Sequence, residues 1–244
     1  MVRLRAISFG IVFVIAGVTG ATFNSDAGTP SSLEAGARSL AADTHLEYSR
    51  TSIRLAHAKE LLGKGYQRSV VKAGENIGGI EPLITEWVTK SLSAPWKYQA
   101  RDIARALIQE SDKYKFDPIF LMAVIGNESS FNPIAIGTSG EVGLMQILPP
   151  TAEWISKKNN LPWMGADSLK DPVTNIRIGA AYLAHLRERY NCKSMLYLAA
   201  YNMGCTNVKR ALQRQTMPRV YSNRVMRHYL RFYGQIVDDT KKAL

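Results

Sequence analysis

The sequence predicts a mainly α-helical protein. Two Asp-Pro pairs, Asp117-Pro118 and Asp171-Pro172, are typical helix starts, because the aspartate caps the helix and the proline fits its first position. Strands would show alternating apolar and polar residues, and such stretches are nearly absent. The chain of 244 residues is 46% hydrophobic and 21% charged, which is the composition of a folded protein rather than a disordered one.

The first 23 residues predict an export signal. Arg3 and Arg5 precede an apolar run from residue 6 to residue 16, and small residues follow it. The run is shorter than the roughly 20 residues of a membrane-spanning helix. An N-terminal anchor that is not cleaved is the alternative, and the lack of a nearby cysteine excludes a lipoprotein anchor. We therefore expect a protein of the periplasm or cell envelope.

Residues 24–97 predict a flexible segment followed by a helical appendage. Residues 24 to 32 are rich in Ser, Gly, Thr and Pro. The remainder is mostly helix-forming, with breaks at Gly63, Gly65 and Gly78-Gly79. The appendage contains no functional motif. It either packs on the rest of the chain or binds a partner, and we favour packing.

Residues 98–234 predict the main helical domain. Ile103, Leu107 and Ile108 lie at helical spacing, and a further helix is expected from Pro118 to about Asn127. The residues of this further helix are expected to be mostly buried.

Later parts of the chain continue the helical pattern. Ile176, Ala180 and Leu183 form an apolar stripe on the helix that starts at the second Asp-Pro pair. A short hairpin is expected around residues 137–142. Residues 235–244 are expected to form a C-terminal tail.

The two cysteines, Cys192 and Cys205, favour one disulfide. An isolated pair in an exported protein is consistent with a bridge, and two buried free thiols are the alternative. No histidine cluster accompanies them, so a zinc site is not expected. The sequence implies no other metal and no organic cofactor.

The formal net charge of +11 suggests a polyanionic partner. Residues 189–237 contain nine lysines and arginines and no Asp or Glu: Arg189, Lys193, Lys209, Arg210, Arg214, Arg219, Arg224, Arg227 and Arg231. An exported protein meets anionic wall polymers and lipid head groups, although a basic surface that is merely solvated is the alternative. No nucleic-acid partner is expected, because the sequence has no reading motif and the export signal contradicts it.

Glu128 is the candidate catalytic residue. It follows a strongly apolar stretch from residue 119 to residue 125, so a buried helix should deliver its carboxyl at the C-terminal end. The negative end of the helix dipole and the apolar neighbours both disfavour ionisation, which would keep the acid protonated near neutral pH. Taken alone, a glutamate at a helix end is usually a surface residue.

Four groups of residues in order carry a resemblance to a known family. They are Glu128-Ser129-Ser130-Phe131-Asn132-Pro133, then Gly143-Leu144-Met145-Gln146-Ile147 with Pro149, then Asp171-Pro172 with Asn175-Ile176, Gly179 and Tyr182-Leu183, and last Ala200-Tyr201-Asn202 with Gly204. In order and spacing they resemble the lytic transglycosylases of the soluble, lysozyme-like family, glycoside hydrolase family 23. The resemblance covers about Tyr98 to Tyr233 and implies a lysozyme-like, goose-type helical catalytic domain.

The resemblance implies roles for the residues around the glutamate. Glu128 would act as the catalytic acid and then as the base, and Ser129 would lie beside it near the sugar. Tyr201 and Asn202 would face Glu128 from a later helix, where a tyrosine hydroxyl can hold a carboxyl or the substrate in place.

The same resemblance implies that Gly143, Leu144, Met145 and Gln146 line the cleft wall. Met145 would offer an adaptable apolar surface, and Gln146 would hydrogen-bond an acetamido sugar. Core packing or turn formation is the alternative for each of them.

The implied reaction needs only one carboxyl group. Most glycosidases use two. In the transglycosylases the N-acetyl group of the substrate stabilises the developing positive charge, and the muramic acid 6-hydroxyl replaces water as the nucleophile. Glu128 would protonate the leaving oxygen and then accept the proton of that hydroxyl, which leaves a 1,6-anhydro end.

A goose-type lysozyme, which hydrolyses instead, is the nearest alternative enzyme. Those enzymes carry an aspartate two residues after the Gln of the motif, and this chain has Leu148 there. Glu141 is an acidic residue close by that could replace it. A glutamate in a surface turn is the interpretation that we favour.

Three positions depart from the family pattern, one of which is Cys205, where a Pro is frequent after the Asn-x-Gly. Gly137 stands where a Ser is frequent, nine residues after the glutamate. Near the C-terminus the usual Glu-Thr-x-x-Tyr-Val reads Met217-Pro218-Arg219-Val220-Tyr221-Ser222, so the Tyr is kept and the Glu is lost. The basic residues around Met217 are candidates to hold the anionic peptide stems.

A wall-binding or scaffolding module of an envelope machine is the alternative from another class. The helical appendage would then engage envelope or secretion-system proteins. The intact Glu128 argues against an inactive module. The partner expected on the main interpretation is the glycan strand of peptidoglycan, bound by a monomer.

Overall fold

The computed structural model describes residues 32–242, and within them the chain forms ten α-helices. They are α1 (Ser32–Leu62), α2 (Val70–Ala73), α3 (Ile80–Ser91), α4 (Ala100–Tyr114), α5 (Pro118–Glu128), α6 (Pro149–Asn159), α7 (Pro172–Arg189), α8 (Ser194–Met203), α9 (Cys205–Gln213) and α10 (Val220–Lys242). Short 3-10 helices occupy Gly63–Arg68, Ala94–Gln99 and Ala166–Lys170. The predicted mainly α-helical class is confirmed.

The chain divides into two compact units, residues 1–40 and 41–244. The first is described only from residue 32, so the export signal predicted for residues 1–23 lies outside the described residues. The second contains α2 to α10 and the contacts reported below. Among the described helices, none combines the length and the apolar character that crossing a membrane requires.

The predicted helix breaks in the N-terminal region are confirmed. α1 ends immediately before Gly63, and Gly65 lies in the 3-10 helix that follows. α3 begins after Gly79.

Helix α5 is the centre of the second unit. Its residues 118 to 125 are all buried, because α10 packs along it and α4 contacts it as well. A helix that is apolar on every side needs such cover. Asp117 caps the helix by accepting a hydrogen bond from the Ile119 amide at 2.9 Å. The helix predicted from Pro118 to about Asn127 is confirmed and ends one residue later, at Glu128.

A buried polar network ties α1 and α10 to the start of α5. The Asp117 carboxylate accepts hydrogen bonds from the Tyr229 and Tyr233 hydroxyls at 2.7 and 2.6 Å. The Asp117 amide donates to His57 Nδ1 at 3.0 Å, and the Arg54 guanidinium donates to the Tyr233 hydroxyl at 3.2 Å. This part of α1 therefore packs into the same core as α5.

The two predicted apolar stripes are buried between neighbouring helices. α4 packs against α3 and α7, and α7 also contacts α6 and α8. The stripe residues are Ile103, Leu107 and Ile108 on α4 and Ile176, Ala180 and Leu183 on α7, and all of them are buried. Both helix predictions are confirmed.

The C-terminal residues continue a helix instead of forming the expected tail. Ile236 and Val237 are buried one turn after Phe232 and Tyr233, which are also buried. Because the apolar spacing continues past residue 235, α10 extends to Lys242.

The loop between α5 and α6 contains a turn rather than the expected hairpin. Isolated bridges pair Val142 with Ile136 and with Ile147. The Gly137 amide donates to the Glu141 carbonyl at 2.7 Å. Val142 takes part in both bridges, and neither of them extends into a strand.

Cys192 and Cys205 are both free thiols, so the predicted disulfide is wrong. Cys192 is exposed in the turn after α7, whereas Cys205 is half-buried at the start of α9 and hydrogen-bonds with Tyr190. Their side chains have different surroundings, which the spacing of two cysteines in a sequence does not reveal.

Candidate active site

Glu128 lies at the end of α5 and borders a cleft of about 500 Å³. One wall comes from residues 137–151, in the α5–α6 loop and the first turn of α6. The other comes from Tyr182 on α7 and residues 201–204 at the end of α8. Of the predicted site residues, the cleft brings together Glu128, Gln146, Tyr201 and Asn202.

The Glu128 carboxyl has a tyrosine partner from the start of α10. The Tyr221 hydroxyl donates a hydrogen bond to Glu128 Oε1. Burial raises the pKa of Tyr221 well above its ordinary value, and the nearby charge of Glu128 raises it further. The phenol therefore keeps its proton and remains a donor to the carboxyl.

Burial raises the pKa of Glu128 above the ordinary value of a glutamate. The hydrogen bonds from Tyr221 and Asn127 and the charge of Arg224 lower this pKa, and the charge of Glu141 raises it. The C-terminal end of the helix dipole also disfavours the carboxylate. Glu128 consequently keeps its proton to a higher pH than an exposed glutamate, as an acid catalyst requires.

Tyr221 was not among the predicted site residues. It was identified only as the retained part of a C-terminal pattern whose Glu is replaced by Met217. Met217 is 42% exposed, whereas Tyr221 is 4% exposed and contacts the catalytic candidate. The sequence did contain one signal for this role. Tyr221 matches the C-terminal pattern of the family although the Glu of the same pattern is absent.

Tyr201 lines the cleft as predicted, but its hydroxyl holds the backbone and not the Glu128 carboxyl. It donates to the Met145 carbonyl at 2.7 Å. Its ring lies 5.3 Å from the ring of Tyr182 and 6.4 Å from that of Tyr221, measured between centroids. The three rings form a row that runs from the cleft wall to the partner of Glu128.

Ser129 supports the loop rather than lining the cleft. Its hydroxyl donates to the Leu144 carbonyl at 2.8 Å. This bond fixes the residue after Glu128 to the motif that begins at Gly143. A position of Ser129 near the sugar stays a prediction.

Gly143, Leu144 and Met145 lie beneath the cleft and do not line it, contrary to the prediction. Leu144 and Met145 are fully buried. Gly143 has φ +83°, and a Cβ there would lie 2.2 Å from the Asn175 amide nitrogen. A glycine is needed at this position because the turn and the close approach of Asn175 leave no room for a side chain.

Asn175 on α7 positions this part of the loop. It is fully buried, accepts a hydrogen bond from the Met145 amide at 2.7 Å and donates to the Val142 and Leu169 carbonyls, both at 2.9 Å. No role was predicted for this residue, although it belongs to the third group of the resemblance. Its amide satisfies three backbone groups of the cleft floor.

Gln146 lines the cleft as predicted, but its amide nitrogen is already engaged. Gln146 Nε2 donates to the Ala135 and Gly143 carbonyls at 3.1 and 2.9 Å. Its side-chain oxygen points toward Gly137, where it would lie 2.8 Å from a Cβ. Gln146 therefore offers the cleft an acceptor.

Gly137 allows the carboxyl of Glu141 to lie against the cleft wall. A Cβ at residue 137 would lie 2.3 Å from Glu141 Oε2. The same Glu141 oxygen accepts a hydrogen bond from the Ser139 amide at 3.0 Å. A serine at residue 137 would displace this carboxyl. Glu141 thus lies in a turn, as favoured, and is also a second acidic residue of the cleft.

Within residues 32–242, no cluster of three or more His, Cys, Asp or Glu side chains is arranged to hold a metal ion. The cleft offers one carboxyl group with a raised pKa, a tyrosine donor and a second carboxyl group.

Comparison with sequence families matches residues 105–220 to the family described as "Transglycosylase SLT domain". A putative soluble lytic murein transglycosylase of Haemophilus influenzae is 40% identical over 95 residues, which cover 39% of this chain and 16% of that protein. A membrane-bound lytic murein transglycosylase C of Mannheimia succiniciproducens is 35% identical over 121 residues, which cover 46% of this chain and 34% of that protein. The matches thus span about a third of these relatives or less.

A solved structure supports the fold. The lytic transglycosylase Slt of Pseudomonas aeruginosa, determined as an inactive mutant, matches 78% of this chain and 37% of its own chain with a TM-score of 0.51. The two sequences are 23% identical, so the likeness concerns the fold alone. The lysozyme-like helical class expected from the resemblance is confirmed.

Proposed function

Because residues 105–220 match the family described as "Transglycosylase SLT domain", we propose that this protein is a peptidoglycan lytic transglycosylase. It cleaves the β-1,4 bond between N-acetylmuramic acid and N-acetylglucosamine without water. The observation that carries this proposal is the Glu128 carboxyl, which borders an open cleft, accepts a hydrogen bond from Tyr221 and has a raised pKa.

The first step uses Glu128 as an acid. The protonated carboxyl donates its proton to the glycosidic oxygen as the bond to the anomeric carbon of N-acetylmuramic acid breaks. The N-acetyl oxygen of the same sugar supports the positive charge that develops on that carbon. Tyr221 then stabilises the new carboxylate through the hydrogen bond that it already makes.

The second step uses the same residue as a base. The Glu128 carboxylate accepts the proton of the muramic acid 6-hydroxyl while the hydroxyl oxygen bonds to the anomeric carbon. The products are a 1,6-anhydromuramoyl end and a new free hydroxyl on the leaving sugar. The carboxyl is protonated again, so the cycle consumes no water and needs no second carboxylate.

We assign the catalytic domain to residues 98–234, which contain the matched segment, and the site of action to the cell envelope, where peptidoglycan lies. Export by the N-terminal residues remains a prediction. So do the monomeric state and an envelope or secretion partner for the N-terminal helices.

Mass spectrometry of the sugars released from isolated peptidoglycan tests the proposal. Wild-type protein should release 1,6-anhydro-muropeptides, and Glu128→Gln should release none. Folding of the variant is checked by its melting temperature. An absence of released sugars with folded wild-type protein would contradict the proposal and favour a wall-binding module.

A hydrolytic muramidase is the second candidate, and the position of Glu141 favours it. Its carboxylate faces the same cleft as Glu128 and could activate water, which would give reducing ends instead of anhydro ends. Digestion with Glu141→Gln separates the two reactions. If wild-type protein produces reducing ends and Glu141→Gln does not, hydrolysis is assigned to Glu141. If wild-type protein produces no reducing ends, the hydrolytic reaction is excluded.

A further inference from the structure

Three arginines project from one face of α10, and we call them the α10 arginine strip: Arg224, Arg227 and Arg231. All three are exposed. Their spacing of three and four residues places them on successive turns of the same helix face. Together with His228 they line a shallow depression in the protein surface.

The arginines of the strip have no acidic partner within 4 Å in the part of the chain that the structure describes. The ion pairs found there involve cations of residues 50–187, all outside the basic run of residues 189–237. Arg231 instead donates to His228 Nδ1 at 3.0 Å. Burial and the charges of Arg231 and Arg227 lower the pKa of His228, which fits its role as a neutral acceptor. The positive charge of the strip is therefore available to an external anion.

The strip begins at the catalytic site. The Arg224 guanidinium lies 5.9 Å from the centre of the Tyr221 ring, and Tyr221 donates to Glu128. His228 Nδ1 would lie 3.3 Å from a Cβ on Gly126, two residues before Glu128. The strip thus runs along the last turn of α5.

The length of the strip suits a short peptide. From Tyr221 to Arg231 the helix rises about 15 Å at 1.5 Å per residue. An extended peptide of four or five residues covers the same distance. Guanidinium groups bind carboxylates with two parallel hydrogen bonds, so a peptide with free carboxylates is the complementary ligand.

We propose that the α10 arginine strip binds the carboxylates of the peptide stem attached to the glycan strand in the cleft. This proposal rests on the proposed function, since it assumes that a glycan strand occupies the cleft. The strip then contributes to the affinity for strands with charged stems. Arg227 and Arg231 take no part in the chemistry at Glu128, whereas the charge of Arg224 lowers the pKa of that carboxyl. Arg224 lies too close to Glu128 to test this separately, so the test uses Arg227 and Arg231.

The test compares two substrates: soluble glycan strands with free stem carboxylates, and the same strands with those carboxylates converted to amides. The variant is Arg227→Gln with Arg231→Gln. We expect its KM to rise about five-fold on the charged strands, because exposed charge pairs are each worth a few-fold in affinity. We expect kcat, and KM on the amidated strands, to equal those of the wild type.

A second double variant, Lys97→Gln with Arg101→Gln, serves as the matched control. It removes the same charge from exposed residues outside the strip, so its KM should stay at the wild-type value on both substrates. Raising the ionic strength should weaken the wild-type preference for charged strands and leave the Arg227 and Arg231 variant unaffected.

Three outcomes would overturn the proposal: an unchanged KM on charged strands, an equal rise on both substrates, or an equal rise in the Lys97 and Arg101 control. Loss of binding to phosphatidylglycerol vesicles with unchanged strand kinetics would also overturn it and assign the strip to lipid head groups. Failure of the proposed function is distinguishable, because wild-type protein would then cleave neither substrate.

Discussion

Helix α5 places a carboxyl at each of its ends, and the two carboxyls have different surroundings. Both have a pKa raised by burial, and both accept hydrogen bonds from tyrosines of α10. Asp117 at the start is fully buried, with donors on both carboxylate oxygens. Glu128 at the end borders the cleft and is within reach of a substrate.

The difference shows how one helix separates stability from chemistry. At the start, α1 and α10 surround Asp117 and leave it no access to substrate. At the end, Tyr221 contacts Glu128 while the α5–α6 loop leaves the carboxyl open to the cleft. Changes at the first end should affect folding, and changes at the second should affect catalysis.

Replacing Glu128 by Gln should have the largest effect on activity. We expect the rate of peptidoglycan cleavage to fall about 1000-fold, since general acid and base catalysis contributes about that much. The melting temperature should change little, because the amide keeps the size of the side chain. The exposed Glu153 on α6 is the control, and Glu153→Gln should keep full activity. A loss of less than tenfold in Glu128→Gln would assign the acid to another residue.

Replacing Asp117 by Ala should have the largest effect on stability. The Tyr229 and Tyr233 hydroxyls and the capped amide would lose their acceptor, and we expect the free energy of unfolding to fall by about 3 kcal/mol or more. Asp171 is a matched control, since it also caps a helix before a proline but is exposed. Asp171→Ala should cost about 1 kcal/mol. The free energies of unfolding are measured by urea denaturation. Equal losses in Asp117→Ala and Asp171→Ala would show that the tyrosine contacts of Asp117 add no stability beyond the helix cap.

Replacing Tyr221 by Phe should change both rate and pH dependence. We expect kcat to fall about 10-fold to 100-fold, because a hydrogen bond to a charged group contributes about 1.5 to 3 kcal/mol. That bond favours the carboxylate, so its loss should raise the pKa of Glu128 and move the alkaline limb of kcat/KM to higher pH. Tyr201→Phe, which removes a hydroxyl bonded to the backbone, should leave the limb in place. Equal shifts in both variants would contradict the assignment.

Replacing Glu141 by Gln should have the smallest effect on activity, and it should shift the alkaline limb in the direction opposite to that of Tyr221→Phe. The negative charge of Glu141 raises the pKa of Glu128, so its removal should move the alkaline limb to lower pH. The shift is read from kcat/KM profiles of wild type and variant at the same ionic strength. A limb that stays in place would mean that the two carboxyls do not influence each other.

The sequence predicted α5 and α7 well because their signals are local. A capping aspartate, a proline in the first turn and an apolar run lie within a dozen residues of one another. The contact between Glu128 and Tyr221 joins residues 93 positions apart, so helical spacing could not predict it. Helical spacing likewise could not predict that α1 and α10 bury Asp117.

The motif from Gly143 to Gln146 shows a second limit of sequence reasoning. The resemblance implied that all four residues line the cleft, but it did not reveal which side of the loop each one faces. The turn at Gly143 and the hydrogen bonds of Asn175 direct Leu144 and Met145 into the core and leave Gln146 at the cleft. An isolated pair of cysteines in a protein with an expected export signal likewise suggested a disulfide, although the two residues have different surroundings.

The central claim is that burial raises the pKa of Glu128 and that the hydrogen bond from Tyr221 limits this rise. An NMR titration of isotope-labelled glutamate carboxyls in wild type and Tyr221→Phe, with Glu128→Gln to assign the signal, measures this directly. We predict a Glu128 pKa above that of exposed glutamates in wild type and a higher value still in Tyr221→Phe. A wild-type pKa at or below the ordinary range, or a fall in the variant, would contradict the account.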